Sequence, residues 1–181
     1  MSAKQIKVWD PLVRLFHWSL VVAFAANALI TDPESPLHDW IGYAIVALIG
    51  LRILWGLVGT RYARFSSFPP SASGAIGQLS DMATGRKRVH LGHTPLGALT
   101  IYNLALTMLA IGATGWMMTT STWWGVGWVE EAHEALVIWA EISVLAHVGA
   151  VVWESLRTGV NLPRAMVSGV KTVPDSVKIE P

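Results

Sequence analysis

The chain contains no cysteine. That excludes an iron–sulfur cluster, a covalently attached c-type haem and a disulfide framework, each of which needs thiols. Charge is scarce as well. Only 14% of residues are Asp, Glu, Lys or Arg, against about 25% in an ordinary soluble domain. The formal net charge is +1, so no nucleic-acid partner is expected. No internal repeat is visible.

Apolar residues make up 52% of the chain. They gather in four runs, approximately Leu12–Thr31, His38–Val58, Leu96–Met118 and Ala132–Trp153. Each is close to the roughly 20 residues a helix needs to cross a bilayer. The expected fold is an all-α integral membrane protein, one domain over residues 1–181, with four transmembrane helices in an up-down bundle bathed in membrane lipid. The 10 tryptophans suit interfacial belts.

Basic residues are distributed unevenly. Lys4, Lys7 and Arg14 flank the start of the first run, and Arg61, Arg64, Arg86, Lys87 and Arg88 lie between the second and third. Arg157, Arg164, Lys171 and Lys178 follow the fourth. The two other connections, Asp32–Leu37 and Thr119–Glu131, hold Asp32, Glu34, Glu130 and Glu131 but no Lys or Arg. The positive-inside rule then puts both termini, a loop at about 59–95 and a tail at about 157–181 in the cytoplasm. Lys4, Lys7 and Ala26-Asn27-Ala28 outline a cleavable signal peptide, but Arg14 and His17 interrupt it and cleavage would leave an odd number of spans. The first run is read as a retained span.

Local signals punctuate the connections. Asp32-Pro33-Glu34-Ser35-Pro36 reads as a tight turn. Ser73–Thr84 reads as a surface helix ended by Gly85, and Thr94-Pro95 as N-cap and first residue of the third span. Gly42, Gly50, Ala105, Gly112 and Gly115 are small enough for close helix packing or for a cofactor pressed against the helices.

Histidines carry the chemistry. His133 and His147 are 14 residues apart, which places them on one helical face about 21 Å apart along the axis. His17 sits near the inner start of the first span and His38 at the outer start of the second. Depth therefore pairs His17 with His147 and His38 with His133. Ionisable groups inside a membrane are costly and usually functional. Two imidazoles from different helices at one level suit a haem iron whose macrocycle supplies the equatorial donors, better than zinc, which wants three or four protein ligands. Any one of them alone is compatible with simple packing.

Arg52 lies 14 residues after His38. It falls on the same face near the inner pair, where a haem propionate or a quinone oxygen would satisfy it, or it snorkels to the headgroups. His93, just before the third span, reaches either the inner haem edge or a quinone pocket. His90 reads as a solvated loop residue. Glu154 is either a counter-ion to His147 or interfacial, and Glu141 either pairs with a neighbouring helix or serves a proton path.

At these residues the chain resembles the bacterial cytochrome b561 family, which shares a domain with the b-type cytochrome subunits of nickel–iron hydrogenases. The likeness runs from Val8 to about Lys171. It rests on Val8-Trp9-Asp10-Pro11-Leu12-Val13-Arg14-Leu15-Phe16-His17-Trp18, Leu37-His38-Asp39-Trp40-Ile41-Gly42-Tyr43 and Arg52-Ile53-Leu54-Trp55-Gly56. Gly59-Thr60-Arg61-Tyr62-Ala63-Arg64-Phe65, Gly92-His93-Thr94-Pro95-Leu96-Gly97 and the two histidines of the fourth run complete it. The resemblance implies two non-covalent b haems, each held by two histidines at His17, His147, His38 and His133. It also implies electron transfer across a bacterial inner membrane between a quinone and a redox partner, a periplasmic c-type cytochrome or a dehydrogenase such as a hydrogenase. The chain would then be an electron-transfer protein or the quinone-reactive subunit of an oxidoreductase, and a homodimer stays open. Two other readings compete. A stand-alone superoxide:quinone oxidoreductase would need positive steering charge that the outer loops lack. A metal or proton transporter would show inverted repeats and midplane sites, and neither is seen.

Overall fold

The computed structural model describes residues 3–175 and 178–180. The extreme end of the expected tail, residues 176, 177 and 181, lies outside the described residues. Four helices are long and apolar enough to cross a membrane: α1 (Pro11–Leu29), α2 (Pro36–Val58), α4 (Pro95–Met118) and α5 (Gly127–Thr158). Between α2 and α4 lie a 3-10 turn (Phe65–Ser67), the surface helix α3 (Ala72–Ala83) and a short strand β2 (Arg88–His90). A strand β1 (Ala3–Lys7) precedes α1, and α6 (Leu162–Ser168), β3 (Val170–Pro174) and β4 (Lys178–Glu180) follow α5.

Helix starts follow the local chemistry. Asp10, Ser35 and Thr94 cap α1, α2 and α4, each side chain accepting an amide hydrogen three residues on, with proline in the first turn that follows. Ser71 caps α3, and Gly85 takes a left-handed φ of 71° just beyond its end. α5 is 32 residues long, against the expected Ala132–Trp153. It extends past the apolar run at both ends, through Gly127–Glu131 and Glu154–Thr158. Gly159, with a φ of 74°, stops it.

Packing proceeds from α1 to α2, α2 to α4 and α4 to α5. Ile45, Ile49 and Met108 form the core between α2 and α4, joined by Leu20 and Phe24 of α1. Val22, Leu51, Leu106 and Leu145 point outward, as lipid-facing residues must in a bundle whose solvent is hydrocarbon. Gly112 lets Val46 of α2 approach α4 so closely that a Cβ there would collide with it. Gly42 and Gly50, by contrast, border open space.

The expectation of a purely helical fold needs correction. β1 pairs antiparallel with β3, Lys4 opposite Val173, and β2 pairs parallel with β4. Both ends of the chain are thereby tied to the same end of the bundle. These strands are short and polar, and the partners are remote in sequence, so no periodicity announces them. Gly169 completes the tie. Its carbonyl accepts from Val8 N and Trp9 N, its φ is 83°, and a Cβ would strike the Trp9 carbonyl.

Candidate functional site

At the end of the bundle away from the termini, the His38 and His133 rings stand with centroids 6.5 Å apart and planes inclined by 60°. His38 lies in the first turn of α2, and His133 two turns into α5. Two imidazoles bound to one metal through nitrogens about 2 Å away on opposite sides hold their ring centres roughly 6 Å apart. The observed gap therefore fits a metal between them. Thr114 Oγ1 lies 3.0 Å from His133 Nδ1, and Thr31 Oγ1 lies 3.4 Å from His38 Nδ1. Gly115 lets α4 pass the His133 ring, since a Cβ there would sit 3.3 Å from its Cε1.

Toward the termini, His17 of α1 is near enough to His147 of α5 for the two rings to interact electrostatically. His17 Nδ1 is shielded and has no hydrogen-bond partner among the described residues. α1 and α5 are the two ends of the packing series, so this pair bridges it. Among the described residues no group of three or more His, Cys, Asp or Glu gathers around a common point. A metal on either pair would need further donors from outside these side chains.

Arg52 is 7% exposed and does not snorkel. Its Nη2 donates to the Ala63 carbonyl at 3.0 Å, and the guanidinium lies 5.0 Å from the centre of the Phe65 ring. Nη1 is shielded without a hydrogen-bond partner among the described residues. Phe65 reaches it because Gly56 has no side chain: a Cβ there would lie 2.2 Å from the ring.

His93 is held between Trp9, at 4.6 Å, and Phe68, at 4.2 Å between ring centres. Its Nδ1 is likewise shielded and unpartnered among the described residues. Burial first, then the charges of Arg52 and Lys171, push its pKa down to about 3. Lys171, 3% exposed, donates to the carbonyls of His90 and Gly92 at 3.0 Å each and sits 5.3 Å from the Trp9 ring. Burial pushes it down to about 8 against the pull of Glu154. His90 is thus part of strand β2 beneath this lysine, half-buried, and not a solvated loop residue.

Sequence reasoning missed Asp10 and Lys171 at this end of the bundle, and Thr31 and Thr114 at the other. Asp10 caps α1 and also accepts from Trp55 Nε1 and Thr60 Oγ1, joining the start of α1 to the end of α2. Burial alone would raise its carboxyl, but those hydrogen bonds outweigh it and hold the pKa below the usual range. Asp before Pro is a legible cap signal, and Asp10 was readable in that way. Lys171 and the two threonines carry no such signal. Glu154 is no counter-ion to His147: its carboxylate is engaged by Arg157, with Nη2 at 2.7 Å. Glu141 is exposed on α5. Asn103 of α4 joins α5 at mid-span, donating to Ser143 and accepting from Trp139.

The family model for prokaryotic cytochrome b561 matches residues 8–169. No curated protein and no solved structure matches the chain.

Proposed function

Because the chain belongs to the prokaryotic cytochrome b561 family, a family of membrane b-type cytochromes that bind b haem and transfer electrons, we propose that it is a dihaem cytochrome carrying electrons across the bacterial inner membrane. His38 and His133 would hold one haem, and His17 and His147 the other. Haem supplies one-electron redox chemistry at its iron. The observation that carries this reading is the 6.5 Å spacing of His38 and His133, two imidazoles on different helices with no cluster of three or more candidate donors among the described residues.

The chain's own residues supply the rest. The histidines of both pairs are half-buried between apolar helices. Arg52 offers its free Nη1 to an acceptor oxygen, a haem propionate or a quinone carbonyl, near the end that carries both termini. His93 stays neutral there and can accept or donate one hydrogen bond. The basic residues of the termini and of the loop between α2 and α4 make that end cytoplasmic. The opposite end presents Asp32, Glu34, Glu130, Glu131 and Glu134 with Trp123, Trp124 and Trp128, a surface suited to a basic electron-transfer domain of a periplasmic cytochrome or dehydrogenase. The same acidity disfavours superoxide as a direct substrate.

Haem content tests the proposal. Pyridine haemochrome analysis of purified protein should return two b haems per chain. One per chain would mean that one histidine pair is no ligand set, and none would sink the reading.

A further inference from the structure

The two histidine pairs differ in what holds them, and the difference lies in two threonines. Thr114 of α4 and Thr31, just beyond α1, belong to different parts of the fold, yet each does the same thing to an imidazole. Thr114 Oγ1 lies 2.9 Å from the Ala110 carbonyl and 3.0 Å from the Ile111 carbonyl. Thr31 Oγ1 lies 3.0 Å from the Asn27 carbonyl and 3.0 Å from Asn27 Oδ1. The Asn27 amide is oriented by its Nδ2 donating to the His38 carbonyl at 3.2 Å, which turns Oδ1 toward Thr31.

Carbonyl oxygens only accept, and a threonine hydroxyl has one hydrogen to give. Turning that hydrogen to the ring would leave two oxygen–oxygen contacts without a proton, and turning it to one carbonyl leaves a single such contact, so we place it on the carbonyl side. The hydroxyl oxygen is then left as an acceptor toward Nδ1 of His133 at 3.0 Å and of His38 at 3.4 Å, and at His133 the Ile111 carbonyl accepts from the ring beside Thr114. An Nδ1 that donates carries the ring's hydrogen, so the Nε2 lone pair is free. His17, by contrast, has no such partner for its Nδ1 among the described residues.

We propose that Thr31 and Thr114 are positioning residues of the outer centre, accepting from Nδ1 of His38 and His133 and so favouring the tautomer that leaves both Nε2 lone pairs free to bind a metal. This rests on the assignment of His38 and His133 as haem ligands. A ligating imidazole whose second nitrogen donates a hydrogen bond is a stronger electron donor. It stabilises the ferric state and holds the outer midpoint potential down. Packing alone would not tie the threonines to the potential of one centre.

The test is an optical redox titration of the haem-loaded protein, with the outer component identified as the one lost in His133→Ala. Thr114→Val keeps the branched shape and removes the acceptor. It should raise the outer midpoint potential and leave the inner one unmoved, while Thr114→Ser leaves both at their original values. Unchanged midpoints in Thr114→Val, or an equal shift of both, would overturn the proposal. If that variant loses both haems through misfolding, Thr31→Val decides: an upward shift of the outer component supports the proposal, and an unmoved one overturns it. A wild-type protein with a single haem that survives His133→Ala would remove the ligand assignment itself, a result distinct from unmoved potentials in a dihaem protein.

Discussion

His133→Ala should halve the haem content, from two per chain to one, and leave the spectrum of the remaining centre unchanged. In the proposed arrangement the substitution removes one of the two histidines assigned to the outer haem. His38 alone, at the first turn of α2, would be left as the one histidine to hold a non-covalent haem there, and would hold it weakly. The inner pair is insulated because His147 lies 14 residues further along α5, about 21 Å away. His147→Ala should give the mirror result. Haem content after purification, with helical content from circular dichroism as the control, reads the outcome. Loss of both haems from either variant with unchanged helicity would contradict the assignment of two separate pairs.

The second large effect is acid loosening of the clasp that ties the termini to the bundle, carried by His93. Its pKa is about 3 in the folded protein and that of an ordinary histidine in the unfolded chain. Between those values the unfolded chain binds the extra proton, so stability falls as pH falls, by about 1.4 kcal/mol per pH unit. The contribution is fully present above about pH 6.5 and amounts to a loss of about 2 kcal/mol by pH 5. Lys171, held at about 8, changes charge on the alkaline side and adds nothing in this window. Asp10, held below its usual value, is lost only at still lower pH. His93→Gln keeps a polar side chain of similar reach and cannot take up the proton. Thermal unfolding in detergent between pH 7 and pH 4 should show the wild-type Tm falling more steeply than the variant's. Parallel curves would refute the role given to His93.

How far the residues alone reached depends on the range over which each signal acts. Hydrophobic run length reports the thickness of the membrane, so four spans were legible while the ends of α5, which continue as helix into water, were not. The helical period put His133 and His147 on one face, and charge asymmetry gave them depths. Depth then matched His38 with His133, which the fold brings to 6.5 Å, and His17 with His147, which it brings into electrostatic range. Arg52 was legible as a buried cation, but not its bond to the Ala63 carbonyl, because that partner lies across a turn.

The pairing of β1 with β3 escaped altogether. Its energetics depend on residues separated by nearly the whole chain, and each strand alone is only a short polar stretch. Lys171 shows the same limit from another side. In sequence it is one more basic residue of a polar tail, and only the fold reveals it buried over Trp9, holding the segment that leads into His93. Thr31 and Thr114 look like ordinary small polar residues near span ends. Their meaning comes from the carbonyls that claim their hydrogens.

The central claim is that electrons cross the membrane through this chain, and vesicles test it most directly. The purified haem-loaded protein would be reconstituted into liposomes that enclose ferricyanide, an acceptor that does not cross lipid. A short-chain quinol carrying a charged, impermeant group would then be added outside. Ferricyanide inside should be reduced, a reduction absent from protein-free vesicles and abolished by His133→Ala or His147→Ala. Haem reduction from outside with no reduction of the enclosed acceptor, or transfer that survives loss of either pair, would contradict it.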